Sequence, residues 1–260
     1  NIKKAEEFVK KASSSRADII VFPEDFITGP ILRKKEFVDY DGKYVKYFQN
    51  LAKKHSIDIV PGSWIESENK KCEQSCWYNT TYYIDSSGKI KGKYRKINLW
   101  HPERKYLTSG NEICVINTKY GKIGLIICWD LAFPEIFRKM VMRGVDIVIC
   151  PSYWCYEDAG IGIKYDNNSE INFVNSLCIA RAFENEIVVV YCNAAGKFEN
   201  NNFKSKLIGR SQITVPFKGP LIRLDHNNEE MFIQEVDTKI LDDTEVAYRI
   251  RSDLKKRTLS

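Results

Sequence analysis

A chain of 260 residues with 43% hydrophobic side chains is long and apolar enough to bury a substantial core. Its net charge of +6 is modest, and its lysines are scattered among acids rather than gathered in one block, which argues against a nucleic-acid-binding surface. No run is long or apolar enough to span a bilayer, no signal-peptide pattern is present and no Pro/Gly/Ser linker divides the chain, so residues 1–260 read as one domain, expected in the cytoplasm and away from membranes.

The chain opens directly in an amphipathic helix over residues 2–14. A buried strand over 18–22 is broken by Pro23-Glu24, a helix covers 44–55, and a strand at 57–60 turns at Pro61-Gly62. Alternation predicts a strand over 77–84, a turn at 85–88 and a strand ending at Tyr94-Arg95-Lys96. Residues 115–116 pair with 123–127 as a hairpin. A helix over 134–143 leads into a strand at 146–150, and a helix over 170–183 leads into 187–192. The last third reads as strands at 207–214, 221–224 and 231–236, closed by one helix over 239–254. These are too many strands for one doubly wound sheet. The expected fold is α/β, a four-layer α-β-β-α sandwich of two mixed β-sheets with helices on the outer faces.

Eight cysteines in a chain this long do not form a disulfide framework. Cys114, Cys128, Cys150, Cys178 and Cys192 lie in apolar runs that suit a reducing compartment. Cys72 and Cys76 are spaced C-x3-C and Cys150 and Cys155 C-x4-C, with no second matching pair and no spaced histidines. No zinc site, metal or cofactor is expected.

Three strand ends carry chemistry. Glu24 follows Ile-Ile-Val-Phe-Pro, Lys96 follows Tyr94-Arg95, and Cys128 ends the run Gly-Leu-Ile-Ile. Open α/β sheets place their chemistry at such ends. A sharp turn after Cys128 would aim the next backbone N–H groups outward as oxyanion donors. A thiol, a carboxylate and an ammonium are what acyl transfer through a thioester requires.

These segments resemble the nitrilase, or carbon–nitrogen hydrolase, superfamily. The matching stretches are Val21-Phe-Pro-Glu24, Tyr94-Arg-Lys96-Ile-Asn-Leu99, the run from Glu103 to Gly110, and Cys128-Trp-Asp-Leu-Ala-Phe-Pro-Glu135. Pro151-Ser-Tyr-Trp154, Arg181-Ala-Phe-Glu-Asn185, Asn193-Ala-Ala-Gly196 and Gly209-Arg-Ser-Gln-Ile follow in family order. The resemblance implies the same four-layer sandwich, assembled as a homodimer or larger homo-oligomer. It implies Glu24 as general base, Lys96 as oxyanion-stabilising cation, Cys128 as nucleophile, and Glu103 as a second glutamate positioning Lys96 and the substrate. It also implies a first strand before the opening helix, which this chain lacks, so the record reads as truncated. Ser109 stands where relatives often carry proline.

The expected activity is hydrolysis of a small amide or N-carbamoyl compound with release of ammonia. Asp130 after Cys128-Trp129 favours the amidase and carbamoylase branches; a nitrilase, or a non-catalytic interaction module, is the alternative. Trp129, Phe133, Tyr153 and Trp154, with Tyr156 beside them, are candidates for the substrate wall. His101 is expected near the pocket entrance, the loop 157–169 near the pocket or a partner surface, and residues 246–254 between protomers. A papain-like protease is disfavoured because His55 and His226 read as surface residues and no papain-type signature surrounds a cysteine.

Overall fold

The computed structural model describes residues 1–30, 33–68, 76–200 and 203–257. The chain gathers into two compact units. The first holds Asn1–Cys114, Leu125–Asp130 and Pro151–Tyr153; the second holds Val115–Gly124, Leu131–Cys150 and Trp154–Ser260.

In the first unit, α1 (Ile2–Ser14) buries Ala5, Val9 and Ala12, and α2 (Lys43–His55) buries Tyr44, Val45, Phe48, Leu51 and Ala52. Spacings of three, four and seven residues put each set on one helical face. The Asp39 carboxylate accepts the backbone N–H groups of Lys43 and Tyr44 at 3.1 and 3.0 Å, satisfying donors that the first turn of α2 leaves open. The sheet beneath comprises β1 (Ile19–Val21), β2 (Asp58–Val60), β3 (Ser63–Glu66), β4 (Tyr78–Ile84) and β5 (Ile90–Arg95). β1 and β2 are parallel; the other pairs are antiparallel, so the sheet is mixed. Ile59 pairs with Ile84 and Ser63–Glu66 pair with residues 81–78, so β2 and β3 follow one another along one edge of β4. Stacked rings of Phe48, Trp64 and Tyr82 join α2 to this sheet.

β3 was not expected. The Pro61-Gly62 break ends β2, and the strand resumes at once on the same edge because Gly62 adopts a left-handed φ of +71°. Beyond β1 the chain stays alongside: Glu24 makes an isolated parallel bridge with Ser63. Gly62 is packed so closely here that a Cβ would lie 2.0 Å from the Pro23 carbonyl oxygen.

The second unit is built on a six-stranded sheet ordered β13-β12-β9-β8-β7-β6. In chain order these strands are β6 (Cys114–Thr118), β7 (Gly121–Leu125), β8 (Ile147–Ser152), β9 (Val188–Asn193), β12 (Gln212–Val215) and β13 (Gly219–Arg223). β8 is buried along its whole length, as an interior strand covered on both faces should be. α3 (Pro134–Met142) and α4 (Ser169–Asn185) pack against one another, and α4 also packs on β9 and β12. A hairpin of β10 (Lys197–Asn200) and β11 (Phe203–Lys206) forms a separate two-stranded sheet that was not expected.

Three other expectations are corrected. Residues 231–236 form no strand. The strand expected over 207–214 begins only at Gln212, because Gly209 and Arg210 are both left-handed, at φ 66° and 65°. The closing helix is two, α5 (Lys239–Ala247) and α6 (Ile250–Arg257), separated at Arg249 with φ 59°. Among the described residues Cys114, Cys128, Cys150, Cys155, Cys178 and Cys192 are in no disulfide, but Cys76 is disulfide-bonded, which a reading suited to a reducing compartment did not include. Cys72 lies outside the described residues. No described helix is long and apolar enough to cross a membrane. The class is α/β with mixed sheets, as expected.

Gly62→Ala should destabilise the protein by on the order of 3 kcal/mol, since it adds a clash to a strained left-handed backbone. A lower urea midpoint measures this; an unchanged midpoint would show that residues 23 and 62 are not packed as described.

Candidate active site

The site is assembled from strand ends of the first unit. Lys96 directly follows β5, and its backbone N–H donates to the Asn79 carbonyl on β4 at 2.9 Å. Its carbonyl accepts from Gly110 N–H at 2.8 Å, closing the loop that carries Glu103. Gly110 is obligatory there, because a Cβ would lie 2.2 Å from the Arg95 carbonyl oxygen. Beneath this loop Val38, Ile65, Trp77, Leu99 and Leu107 form a small core of their own.

The Lys96 side chain is 1% exposed, and its Nζ lies 2.9 Å from Glu24 Oε1 and 2.9 Å from Glu103 Oε2. Asn79 Nδ2 donates to Glu24 Oε1 at 2.7 Å and to Glu103 Oε1 at 3.3 Å. Glu24 Oε2 accepts the Tyr153 backbone N–H at 2.9 Å, and Glu103 Oε2 accepts that of Trp100 at 2.7 Å. The Cys128 thiol hydrogen-bonds to Glu24. Residues 24, 96, 103 and 128 are thus brought together from positions far apart in the chain.

The electrostatics follow from one cation serving two anions in a dry setting. Burial pushes Glu24 up, Lys96 opposes it and Glu103 adds to it; the carboxyl stays above the usual glutamate range. Burial pulls Lys96 down, but Glu103, Glu24 and Cys128 outweigh it, and the ammonium is held well above the ordinary lysine value. Lys96 is therefore a permanent charge across the accessible pH range.

A second polar centre frames Cys128. Asp130 is fully buried; Oδ1 accepts the Asn98 backbone and side-chain N–H groups at 2.8 and 2.9 Å, and Oδ2 accepts Tyr94 Oη–H at 2.7 Å and Ile127 N–H at 3.0 Å. It thus ties the end of β5 to the turn that holds Cys128. That turn is the start of a 3-10 helix, Cys128–Ala132, and places Cys128 at φ 47°. A left-handed non-glycine residue costs energy and persists where its surroundings over-determine it.

Sequence reasoning missed Asn79 and used Asp130 only as a branch marker. The sequence carried no signal for Asn79, since β4 reads Tyr-Asn-Thr-Thr-Tyr-Tyr-Ile and the burial of this side chain is created by the packing. Among the expected substrate-wall residues, Trp129 directly follows Cys128, its ring 4.5 Å from Trp100 and 6.1 Å from His101. Tyr153 reaches the site through its backbone N–H. Trp154 lies in the second unit, 1% exposed, with its indole donating to Glu170 and its backbone N–H donating to Asn193 at 2.8 Å. Phe133 is also in the second unit, half-buried, immediately before α3.

The class of protein that this fold and site define is given by comparison: residues 1–245 match the Carbon-nitrogen hydrolase family. The chain belongs to that family, within the nitrilase superfamily. It is 31% identical over 260 residues to the 2-oxoglutaramate amidase of Bacillus subtilis, covering 98% of this chain and 92% of that protein. It is 30% identical over 243 residues to a probable nitrilase of Schizosaccharomyces pombe, covering 91% and 82%. A crystal structure of a Saccharomyces cerevisiae member of branch 10 of the nitrilase superfamily superposes with a TM-score of 0.79 at 26% identity, covering 95% of this chain and 88% of that one.

Lys96→Met leaves two buried carboxylates facing one another, and the pair must take up a proton. A carboxyl pair with a raised folded value supports stability below about 4.5, and that support is lost as pH rises through the folded value. The variant should therefore lie close to the parent in acid and about 3–5 kcal/mol below it at neutral pH. Chemical denaturation at both pH values measures the difference; a gap that does not change with pH would contradict this account of the cluster.

Proposed function

We propose that this protein hydrolyses a small linear amide or N-carbamoyl compound through a thioester on Cys128, releasing ammonia. The observation that carries the reading is Glu24, which bonds the thiol, the Lys96 ammonium and the Tyr153 N–H at once. Such a carboxylate can move a proton without leaving its place.

Glu24 takes the Cys128 proton as sulfur attacks the substrate carbonyl carbon, and the carbonyl π pair becomes an oxyanion. The Lys96 ammonium has three N–H groups. Glu24 Oε1 lies at 2.9 Å and the two oxygens of Glu103 at 3.1 and 2.9 Å; releasing one Glu103 oxygen frees an N–H that, with the Trp129 backbone N–H, holds the oxyanion. Each such donor is worth about 3 kcal/mol. Glu24 then gives its proton to the departing nitrogen, the C–N bond breaks and ammonia leaves. In the second half Glu24 deprotonates water, hydroxide adds to the thioester carbon, and collapse expels the thiolate. The thiolate recovers its proton and the carboxylic acid departs. Glu103 and Asn79 keep Lys96 and Glu24 in register. The rings of Trp100, His101 and Trp129 and the Tyr153 segment lie around these groups and form the substrate wall. The bacillary relative at 31% identity is an amidase, which supports an amide, while the fission-yeast relative at 30% is named a probable nitrilase and keeps a nitrile as the alternative.

The reading treats residues 1–260 as one hydrolase domain, as the family match across both units supports. It also includes a homo-oligomer. In the second unit Ile161, Tyr165, Val246 and Tyr248 are exposed apolar or aromatic side chains of the kind that subunit interfaces cover.

A panel of ω-amides, carbamoyl amines, carbamoyl amino acids and nitriles, read by ammonia release, tests the activity. Intact-mass measurement under turnover should show an acyl adduct that Cys128→Ala abolishes together with turnover; ammonia release that persists in the variant rules the mechanism out. Sedimentation should find an oligomer at micromolar concentration, and a monomer would contradict that part of the reading.

A further inference from the structure

The second unit carries a pair of carboxyl groups far along the chain from the residues assigned to catalysis. Glu186 follows α4 as its C-cap, with φ 54° and no exposed surface. Glycine is the usual residue at a left-handed cap, and a glutamate there costs on the order of 1 kcal/mol. Its side chain offsets that cost. Oε1 accepts the backbone N–H of Ile250 at 3.1 Å and Oε2 that of Arg251 at 3.2 Å, so one carboxylate caps the first turn of α6. Glu245, on α5, faces the same point. Its Oε1 accepts both the N–H and the hydroxyl of Ser252, the residue that follows the two whose N–H groups Glu186 holds, so the two carboxyl groups are neighbours. Glu245 Oε2 is buried with no hydrogen-bond partner among the described residues.

Two carboxyl groups can hydrogen-bond to one another only with a proton between them. Both oxygens of Glu186 already accept backbone donors and Oε1 of Glu245 is occupied by Ser252, so Glu245 Oε2 is the oxygen left to face Glu186 across a shared proton.

We infer that Glu186 and Glu245 share one proton and form a pH-sensitive latch that fastens α6 to the end of α4. Arginines of the packed helices are engaged elsewhere, Arg138 of α3 with Glu184 among them. The Arg251 guanidinium is directed away, to the Val145 carbonyl at 2.7 Å and to Asp146 at 3.4 Å. On α4, Arg181 is engaged with Glu184 and with the carbonyls of Leu131 and Ala132. The positive end of α6 favours one anion beside it, but a second meets the first in a site with little solvent. Burial and then Glu245 push Glu186 up, while burial of Glu245 is outweighed by its hydrogen bonds with Glu186 and Ser252, which hold it below the usual glutamate range; one carboxyl raised and its neighbour lowered agrees with one proton kept by the pair.

The sign of the effect follows. Opening of α6 exposes both glutamates to water, where each ionises near 4.5. Between that value and the raised value of the closed pair, each opening event releases one proton. The opening constant then rises about tenfold per pH unit and levels off once the closed pair has itself ionised. The C-terminal helix is fastened in acid and loosens as pH rises.

Amide hydrogen exchange on the full chain, followed by mass spectrometry and corrected for the intrinsic pH dependence of exchange, tests this on peptides covering 248–257. The expected result is loss of protection by about a decade per pH unit above about 4.5, followed by a plateau. Glu245→Gln keeps an acceptor for Ser252 and supplies a permanent N–H donor to Glu186, so its protection should be independent of pH. A parent chain with no pH dependence in these peptides overturns the latch without recourse to any variant. So does a Glu245→Gln variant that keeps the parent's slope.

Discussion

One ammonium buried between two carboxylates is the constraint on which the first unit depends. Taking Lys96 and its two glutamates out of water costs several kcal/mol per ion, and only well-placed partners recover it. The partners are well placed because each arrives on a rigid support: Lys96 at the end of β5, Asn79 within β4, Glu24 in register with Ser63 beside β3, and Glu103 on a loop closed at Gly110. The same low polarity that makes the cluster costly keeps its charges strong, which is the condition for stabilising charge as it develops. Burial first, and then the second carboxylate of Glu103, leave Glu24 with basicity that an exposed Lys–Glu pair would suppress.

The thiol is held by a different device. Asp130 spends both oxygens on the backbone and side chains around it, and in doing so joins the end of β5 to the turn that carries Cys128. A buried carboxylate with four donors is fully satisfied and therefore rigid. This explains how a left-handed backbone at Cys128 is sustained. Two polar centres, one charged and chemical, one tethering, thus meet at the same strand ends.

Much of this was legible from the chain. Glu24, Lys96 and Cys128 each end an apolar strand-like run, and strand ends of α/β sheets are where side chains converge. Most elements were legible too, since their apolar residues recur at helical or alternating spacing. What failed had local causes. β3 was hidden because a proline and a left-handed glycine made a strand that continues look like one that stops. Residues 231–236 alternate like a strand but meet no neighbouring strand. The break at Arg249 has no signature in Ala-Tyr-Arg-Ile; it is held by carboxylates from α4 and α5.

The sequence by itself determined the α/β class, the family and the identity of the groups that gather at Glu24, because residue type, order and hydrophobic period are local properties of the chain. Only the tertiary structure decided how those groups are paired: that Asn79 serves both glutamates, that a backbone N–H from Tyr153 reaches Glu24 across 129 positions, and that Glu186 and Glu245 face one another. A hydrogen bond is set by distance and direction between atoms, and for residues so far apart along the chain both are created by the packing of whole elements.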